Sequence, residues 1–402
     1  MRILEVEYLG PPALGGVEAV VEALAHGLRA RDHSVEIWCT DLKSFDGAGH
    51  ESMSAVFEEV PVRRFRTRRW RPWLFDPHHL MWQGLGRALA EEARKGSLFH
   101  LHSFPSSHVW AALGALKHGG AAVVTPHHDI ASLKRYLTLW RGRHFVGRLS
   151  RAARRYPQLR LAVHTRASKH YWTETIGWPA EQIRVIPNGV YLSEFDSVSA
   201  EELEAAGKLW PKHELRLLFV GRLARSKGVD ILLRSLAKTR KGFLVIIGPD
   251  EGAKPELQKL VKEHSLENRI RFEPPPSRRM VCAAFRACDL FVLPSRYGEN
   301  FGIAAIEAMA AAAPVIVSSS GGLPSLVKNG ENGFIFESES VDSLSSALYQ
   351  LSSTGQAERM RRAFGQAGRR VVESAYTWER VTEEYVSLFD AALRAAQSRK
   401  DT

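Results

Sequence analysis

Apolar residues recur along this chain in two alternating patterns. Short runs rich in β-branched and aromatic residues punctuate the first half: RILEVEY, SVEIWCT, LFHLHS, AAVVTPH, RLAVHT and IRVIPNG. Several end in Gly, Pro, Ser or Thr, as strands do where they pass into loops. Between them lie longer runs with helical spacing. In GGVEAVVEALAHGLRARD, Val17, Val20, Val21, Leu24 and Leu28 fall on one face. The second half repeats the scheme, with ELRLLFVG, GFLVIIG, RIRFEP, CDLFVLPS and APVIVSS as strands. Helices are expected to start near Lys227, Lys254, Ser277 and Gly302, and beyond about residue 340 the pattern is helical throughout. Such alternation predicts parallel sheets with helices on both faces.

A chain of 402 residues is too long for one ordinary core. The pattern divides it into two doubly wound, Rossmann-like α/β domains facing each other across a cleft, with ligands at the carboxyl ends of the strands. The expected boundaries are 1–190 for the first domain, 191–213 for a polar linker, 214–375 for the second domain, and 376–402 for a C-terminal helix packing back on the first. Apolar (45%) and charged (25%) fractions are those of a soluble globular protein. Cys39, Cys282 and Cys288 form no CxxC pair, which argues against a disulfide framework or a structural zinc and fits a reducing compartment. MRILEVEYLG reads as a first strand rather than a signal peptide, and no run of about 18 apolar residues is present. A cytoplasmic location follows, with the inner face of the cell membrane as a further option. The formal net charge of +11 suits phosphorylated small molecules, anionic lipid or nucleic acid as partners.

The chemistry concentrates in SRYGENFGIAAIEAMA, residues 295–310. Glu299 lies in a loop after an expected strand, and Glu307 in the helix that follows. Eight residues of helix span roughly 12 Å, whereas paired glycosidase carboxylates stand about 5–9 Å apart across one bond. These two therefore touch different parts of a long ligand, and the free N–H groups between them suit an anion. A capping glutamate plus a surface glutamate is the simpler alternative. Upstream, VGRLARSKGVDILL places Arg222 and Lys227 between a strand end and a helix start, a site for a diphosphate. Cations on one loop and hydroxyl-binding carboxylates on the other match a nucleotide diphosphate joined to a sugar.

GRLARSKG, SRYGENFGIAAIEAMA, APVIVSSSGGLPSLVKNGENGFIF and VIPNGV resemble the retaining glycosyltransferases of family 4, which have the GT-B fold. GGVEAVVEAL and TPHHD extend the resemblance into the first half. It implies that Glu299 contacts the donor sugar, Glu307 the nucleoside ribose, and Arg222 and Lys227 the diphosphate. Asn300 and the amides near Phe301, Gly302 and Ile303 would face phosphates or sugar. Gly15 and Gly16 would form the loop that meets the donor, and His127 would stand near donor sugar and acceptor. Transfer with retention, aided by the departing diphosphate, is implied. The chain departs from the family at Tyr191, where Asp is usual, and at Ser325, where Glu is usual.

His100, His102, His127, His128 and Asp129 cluster near two strand ends and could ligate a metal. HExxH and DxD are both absent from the sequence, so no metal and no cofactor beyond the nucleotide-sugar substrate is expected. The densest basic stretch, VRRFRTRRWRPWLFDPHH, interleaves Arg63, Arg64, Arg66, Arg68, Arg69 and Arg71 with Phe65, Trp70 and Trp73. Arg66, Arg68, Arg69, Trp70 and Trp73 are candidates for an anionic acceptor or a membrane surface. The reading is a hexosyltransferase acting on a cell-envelope glycan or lipid-linked acceptor in polysaccharide biosynthesis. The alternatives are a nucleotide-sugar epimerase on the same fold and a basic nucleic-acid-binding protein.

Overall fold

The computed structural model describes residues 1–11, 16–42, 51–68, 81–104, 106–127, 130–138, 140–239, 241–353 and 355–400. Contacts group residues 1–188 with the stretch from Trp378 as one unit, and Gly189–Thr377 as a second. The first unit's strands are β1 (Arg2–Val6), β2 (Ser34–Thr40), β3 (Ser54–Phe57), β4 (Val60–Phe65), β5 (Thr67–Arg68), β6 (Met81–Trp82), β7 (Leu98–His102), β8 (Ala121–Thr125), β9 (Leu159–Val163) and β10 (Ile183–Val185). The second unit's are β11 (Arg216–Val220), β12 (Phe243–Ile247), β13 (Ile270–Glu273), β14 (Leu290–Leu293), β15 (Val315–Ser318) and β16 (Gly333–Phe336).

The first sheet runs β10-β9-β8-β7-β1-β2-β4-β3, parallel except for the β3–β4 pair. The second runs β13-β12-β11-β14-β15-β16, all parallel. Strand order therefore reverses between β1 and β7, and again between β11 and β14. Loops leaving neighbouring strands at such a switch point diverge and open a crevice at the carboxyl ends. Helices cover both faces, which is why LFHLH and AAVVT are buried at every position.

Several elements were not anticipated. The front of the basic stretch is not a loop: Val60–Phe65 is β4, paired with β2 and β3. Its buried and exposed positions alternate at the start, with Val60 and Val62 inside and Pro61 and Arg63 outside. Arg64 is buried and donates to the Pro11 carbonyl at 2.5 Å and the Ser52 carbonyl at 3.1 Å, while the Arg63 guanidinium lies 4.9 Å from the Trp38 ring centroid. Arg64 is thus tied into the fold, whereas Arg63 remains exposed on the sheet. Residues 191–213 carry two short helices, Leu192–Asp196 and Ala200–Gly207, the second closed by a Ser199–Glu202 capping box. Trp210 then buries its ring and donates to the Leu217 carbonyl at 3.0 Å. At the far end, the helix Trp378–Lys400 packs Tyr385 and Phe389 against His100 of β7.

Two glutamates, Glu5 on the first strand and Glu7 just past its end, are fully buried. One Glu7 oxygen accepts from Ser103 Oγ at 2.9 Å. Burial pushes its carboxyl up to about 8, and nearby Glu18 adds to the rise. The native state thus keeps a proton that the unfolded chain releases near pH 4.3. Between that value and about 8, the contribution of Glu7 to stability falls as pH rises. We expect Glu7→Gln to abolish this slope. In urea titrations at pH 5 and pH 8, the wild type should lose about 1–3 kcal/mol relative to the variant, whereas parallel curves would show Glu7 ionised at both.

Candidate functional site

The loops that leave β11 and β14 meet at the second unit's switch point. After β11 the chain turns through Gly221 and Arg222 into a single 3₁₀ turn, Arg225–Lys227, closed by Gly228. Gly228 has φ +65°, and a Cβ there would lie 2.1 Å from the carbonyl oxygen of Pro294, just past β14. Only glycine lets the two loops approach this closely. Arg296 then fastens them. Its backbone N–H donates to the Ser226 carbonyl at 2.8 Å, and its guanidinium grips Asp230 at 2.5 and 2.6 Å.

This scaffold brings Lys227 and Glu299 together. Lys227 Nζ lies 2.7 Å from Glu299 Oε2, which also accepts from Ser295 Oγ at 3.1 Å. Both side chains are largely buried, 16% and 12% exposed, so the pair is a partly desolvated one rather than a surface ion pair. Arg222 lies on the same loop but is exposed and pairs with Glu251 at 2.6 and 2.7 Å. Asn300 and Phe301 lead into Gly302, the N-cap of the helix Ile303–Ala310, with φ +98°. The Phe301 ring is buried against Tyr376, so it offers backbone rather than side chain. The amides of Ile303 and Ala304 precede the first helical hydrogen bonds, which run from Ala305 and Ile306 to the Gly302 carbonyl.

Glu307, on the helix Ile303–Ala310, has a separate set of contacts. It forms an ion pair with Arg278, which also reaches Glu194 at 2.6 Å and lies over the Phe195 ring. Burial pushes the Glu307 carboxyl up, and Arg278 works against that rise. Although burial pulls the Arg278 guanidinium down, Glu307 and Glu194 together hold it above its ordinary value. The three residues thus form a carboxylate–guanidinium–carboxylate array. Arg278 and Glu194 were not anticipated. Ser277 marked a helix start, but nothing in its spacing linked the next residue to Glu307.

In the first unit, Gly16 opens the helix Gly16–Arg29, while Gly15 lies outside the described residues. His127, just past β8, is held between two other histidines. Its Nε2 is 2.8 Å from His102 Nδ1, and its Nδ1 is 3.3 Å from His164 Nε2. His102 Nε2 and His100 Nδ1 both approach Glu5 Oε2, at 2.7 and 2.8 Å. Ligands around a tetrahedral zinc, with bonds of about 2.0 Å, stand about 3.3 Å apart. The two contacts to Glu5 are shorter than this, the His127–His164 contact equals it, and Glu5, His100 and His102 form a buried set that could hold a metal ion. Arg66 is exposed and lines a pocket of about 580 Å³ with Arg63, Arg64, Glu36 and Met53. The backbone of Arg68 lies in β5; its side chain, and Arg69, Trp70, Trp73, His128 and Asp129, lie outside the described residues.

Comparison with known proteins decides the family. Residues 14–194 match the Glycosyltransferase Family 4 model and residues 201–371 the Glycosyl transferases group 1 model. The chain belongs to the group 1 glycosyltransferases. A D-inositol 3-phosphate glycosyltransferase from Mycobacterium marinum is 31% identical over 219 residues, 53% of this chain and 46% of the relative. One from Streptomyces avermitilis is 31% identical over 230 residues, 54% and 48%. The chain spans about half the length of the curated relatives it matches. Among solved structures, a sucrose-phosphate synthase from Thermosynechococcus elongatus superposes with a TM-score of 0.78 at 22% identity, covering 98% of this chain and 99% of its own. Anabaena Alr3699/HepE in complex with UDP-glucose gives 0.74 at 19%, covering 97% and 100%. The architecture is GT-B.

Within this glycosyltransferase, the β11 and β14 loops are held in register by glycine at one tight crossing, and that crossing can be tested. Gly252 also has positive φ, +91°, but a Cβ there would meet nothing within 4 Å. Gly252→Ala should cost about 1 kcal/mol, the backbone strain alone. Gly228→Ala adds a clash with a carbonyl oxygen and should cost about 3 kcal/mol or more. Equal shifts in the urea midpoint would show that the crossing is looser than described.

Proposed function

We propose that this glycosyltransferase moves a hexose from a nucleotide-diphosphate sugar to a hydroxylated acceptor, with retention of the anomeric configuration. The observation that carries the proposal is the pairing of Lys227 with Glu299 where the β11 and β14 loops meet. A cation suited to a diphosphate and a carboxylate suited to sugar hydroxyls stand at hydrogen-bond distance. A donor would take both groups, replacing their mutual contact with one on each side of its sugar–phosphate bond.

Each neighbouring group then has a role. Lys227 and Arg222 stabilise negative charge on the departing diphosphate, and the amides from Ile303 add the positive end of a helix. Glu299 orients the sugar. Glu307, paired with Arg278, accepts from ribose hydroxyls. The bond from the anomeric carbon to phosphate oxygen breaks, and the bond to the acceptor oxygen forms on the same face. The acceptor's hydroxyl proton leaves with the diphosphate. A UDP sugar is the favoured donor, supported by the UDP-glucose complex of a structural neighbour. An anionic acceptor, such as a phosphorylated polyol or a lipid-linked glycan, is supported by the relatives' action on an inositol phosphate and by the basic stretch around Arg66.

Incubation with UDP-, GDP- and ADP-glucose should raise the unfolding temperature for one of them, by mass action. With that donor, Lys227→Ala and Arg222→Ala should each lose about 2 kcal/mol in kcat/KM. Glu299→Gln should mainly lower kcat, and Glu307→Gln should mainly raise the donor KM. Donor conversion without any acceptor would point instead to an epimerase, and identical effects of the two glutamate changes would remove the division of roles.

No helix among the described residues is long and apolar enough to cross a membrane. A membrane-resting acceptor would therefore be reached peripherally, through Arg66, Arg68 and Arg69 with Trp70 and Trp73. Sedimentation with vesicles should then show binding to anionic but not neutral lipid, weakening as salt rises and lost in an Arg66, Arg68, Arg69 triple-Ala variant. Equal binding to both lipids, or to neither, excludes the membrane version.

A further inference from the structure

The register of the first sheet sets Glu5 of β1 directly opposite His100 of β7. Side chains alternate along a strand, so His102 shares the face of His100. All three side chains are fully buried. His102 Nε2 lies 2.7 Å and His100 Nδ1 lies 2.8 Å from the same oxygen, Glu5 Oε2. Two imidazoles and a carboxylate thus converge on one point, with their inward atoms all within 4.8 Å of one another. The outer nitrogens are held in place. His100 Nε2 meets Thr125 Oγ1, and His102 Nδ1 meets His127 Nε2, each at 2.8 Å. Tyr385 and Phe389 of the C-terminal helix pack on the His100 ring.

Hydrogen bonding alone does not account for this arrangement. His102 Nε2 is aligned for a hydrogen bond to Glu5. His100 Nδ1 is not: although it lies 2.8 Å from Oε2, its ring N–H does not point there, and the atom has no hydrogen-bond partner. Glu5 Oε1, also buried, has none either. Among the described residues Glu5 pairs with no Lys or Arg, and its only ion-pair partners are the two imidazoles. A buried carboxylate is ordinarily matched by a cationic side chain or a metal ion. The spacing fits a metal of higher coordination number than tetrahedral zinc. Adjacent ligands of a six-coordinate ion with bonds of about 2.0–2.1 Å stand about 2.9 Å apart. Both contacts to Oε2 lie within about 0.2 Å of that separation. A ring nitrogen bound to such an ion lies beside the neighbouring ligand without pointing at it, which is the disposition of His100 Nδ1.

We propose that Glu5, His100 and His102 hold a divalent first-row transition-metal ion that ties β1 to β7. Two histidines and one carboxylate, with no thiolate, suit manganese, iron, cobalt, nickel or zinc. Glu5 Oε1 supplies a fourth donor. The ion takes the place of the proton between His102 Nε2 and Glu5 Oε2, and that proton is released to water. His100 binds through the Nδ1 lone pair while its Nε2–H donates to Thr125. Thr125 and His127 are the outer partners that fix the two rings. Complete burial makes the ion structural, since catalytic sites keep a position open to substrate or water. The sequence lacks HExxH and DxD, but those patterns place ligands within one segment. Here the ligands come from two neighbouring strands, and only their register brings Glu5 to the histidines. This inference does not depend on the donor reading.

The test is elemental analysis of the full chain, purified from medium supplemented with manganese, iron, cobalt, nickel and zinc. Gel filtration in EDTA strips metal held at the surface. We expect about one equivalent of one metal to remain, because the site is closed. Glu5→Gln and His100→Gln should each lose it. X-ray anomalous scattering at that metal's absorption edge, measured on wild-type crystals, should place the ion between Glu5, His100 and His102. This measurement decides even if neither variant folds. Wild-type protein carrying far less than one equivalent, an ion located elsewhere, or folded variants that keep the full equivalent would overturn the proposal.

Discussion

The contact between Lys227 and Glu299 is the constraint around which the second unit is arranged. The residues are 72 apart in sequence and 2.7 Å apart in space. Two opposite charges this far out of water are tolerable only as a pair, because either alone would carry an uncompensated desolvation penalty. Holding them together requires that the loops after β11 and β14 cross closely, and that requirement explains the glycine at 228 and the Arg296–Asp230 clamp. It also explains why the strand order reverses here. Neighbouring strands whose connections run to opposite sides are the ones whose carboxyl ends can carry two independent loops facing one crevice.

The same physics recurs at each functional group. Glu307 is paired with Arg278, and Arg222 with Glu251. None of these charges waits alone for a ligand. Under the proposed function a ligand displaces an internal partner, and its net affinity is the difference between two similar interactions. Such an arrangement favours discrimination over tightness. A molecule that satisfies the lysine but leaves the glutamate unpartnered gains little.

The strands and the helix starts at Lys254, Ser277 and Gly302 were legible in the sequence, because buried strands read as short apolar runs and caps have local signatures. The Glu299–Glu307 loop was legible too, because both its residues lie within nine positions of each other. β4 was obscured by its own charge: Arg63 and Arg64 look solvated until the alternation of Val60 and Val62 is given more weight than the arginines. β16, in GENGFIF, was hidden by its shortness and flanking turn residues. The Arg278–Glu307–Glu194 array and the Glu5–His102–His127–His164 chain join positions up to 97 residues apart. No local pattern encodes them. The array joins three helices, and the histidine chain exists because parallel strands bring distant carboxyl ends side by side.

The C-terminal helix has a consequence of another kind. Its residues Tyr385 and Phe389 complete the core around His100, yet all of Gly189–Thr377 lies between them and the rest of the first unit. The two crossings run side by side, with the Val190 N–H donating to the Tyr376 carbonyl at 2.9 Å. During synthesis the second unit can therefore finish folding while the first is still missing part of its interior. The interior of the first unit can be completed only after the whole of the second unit has been made.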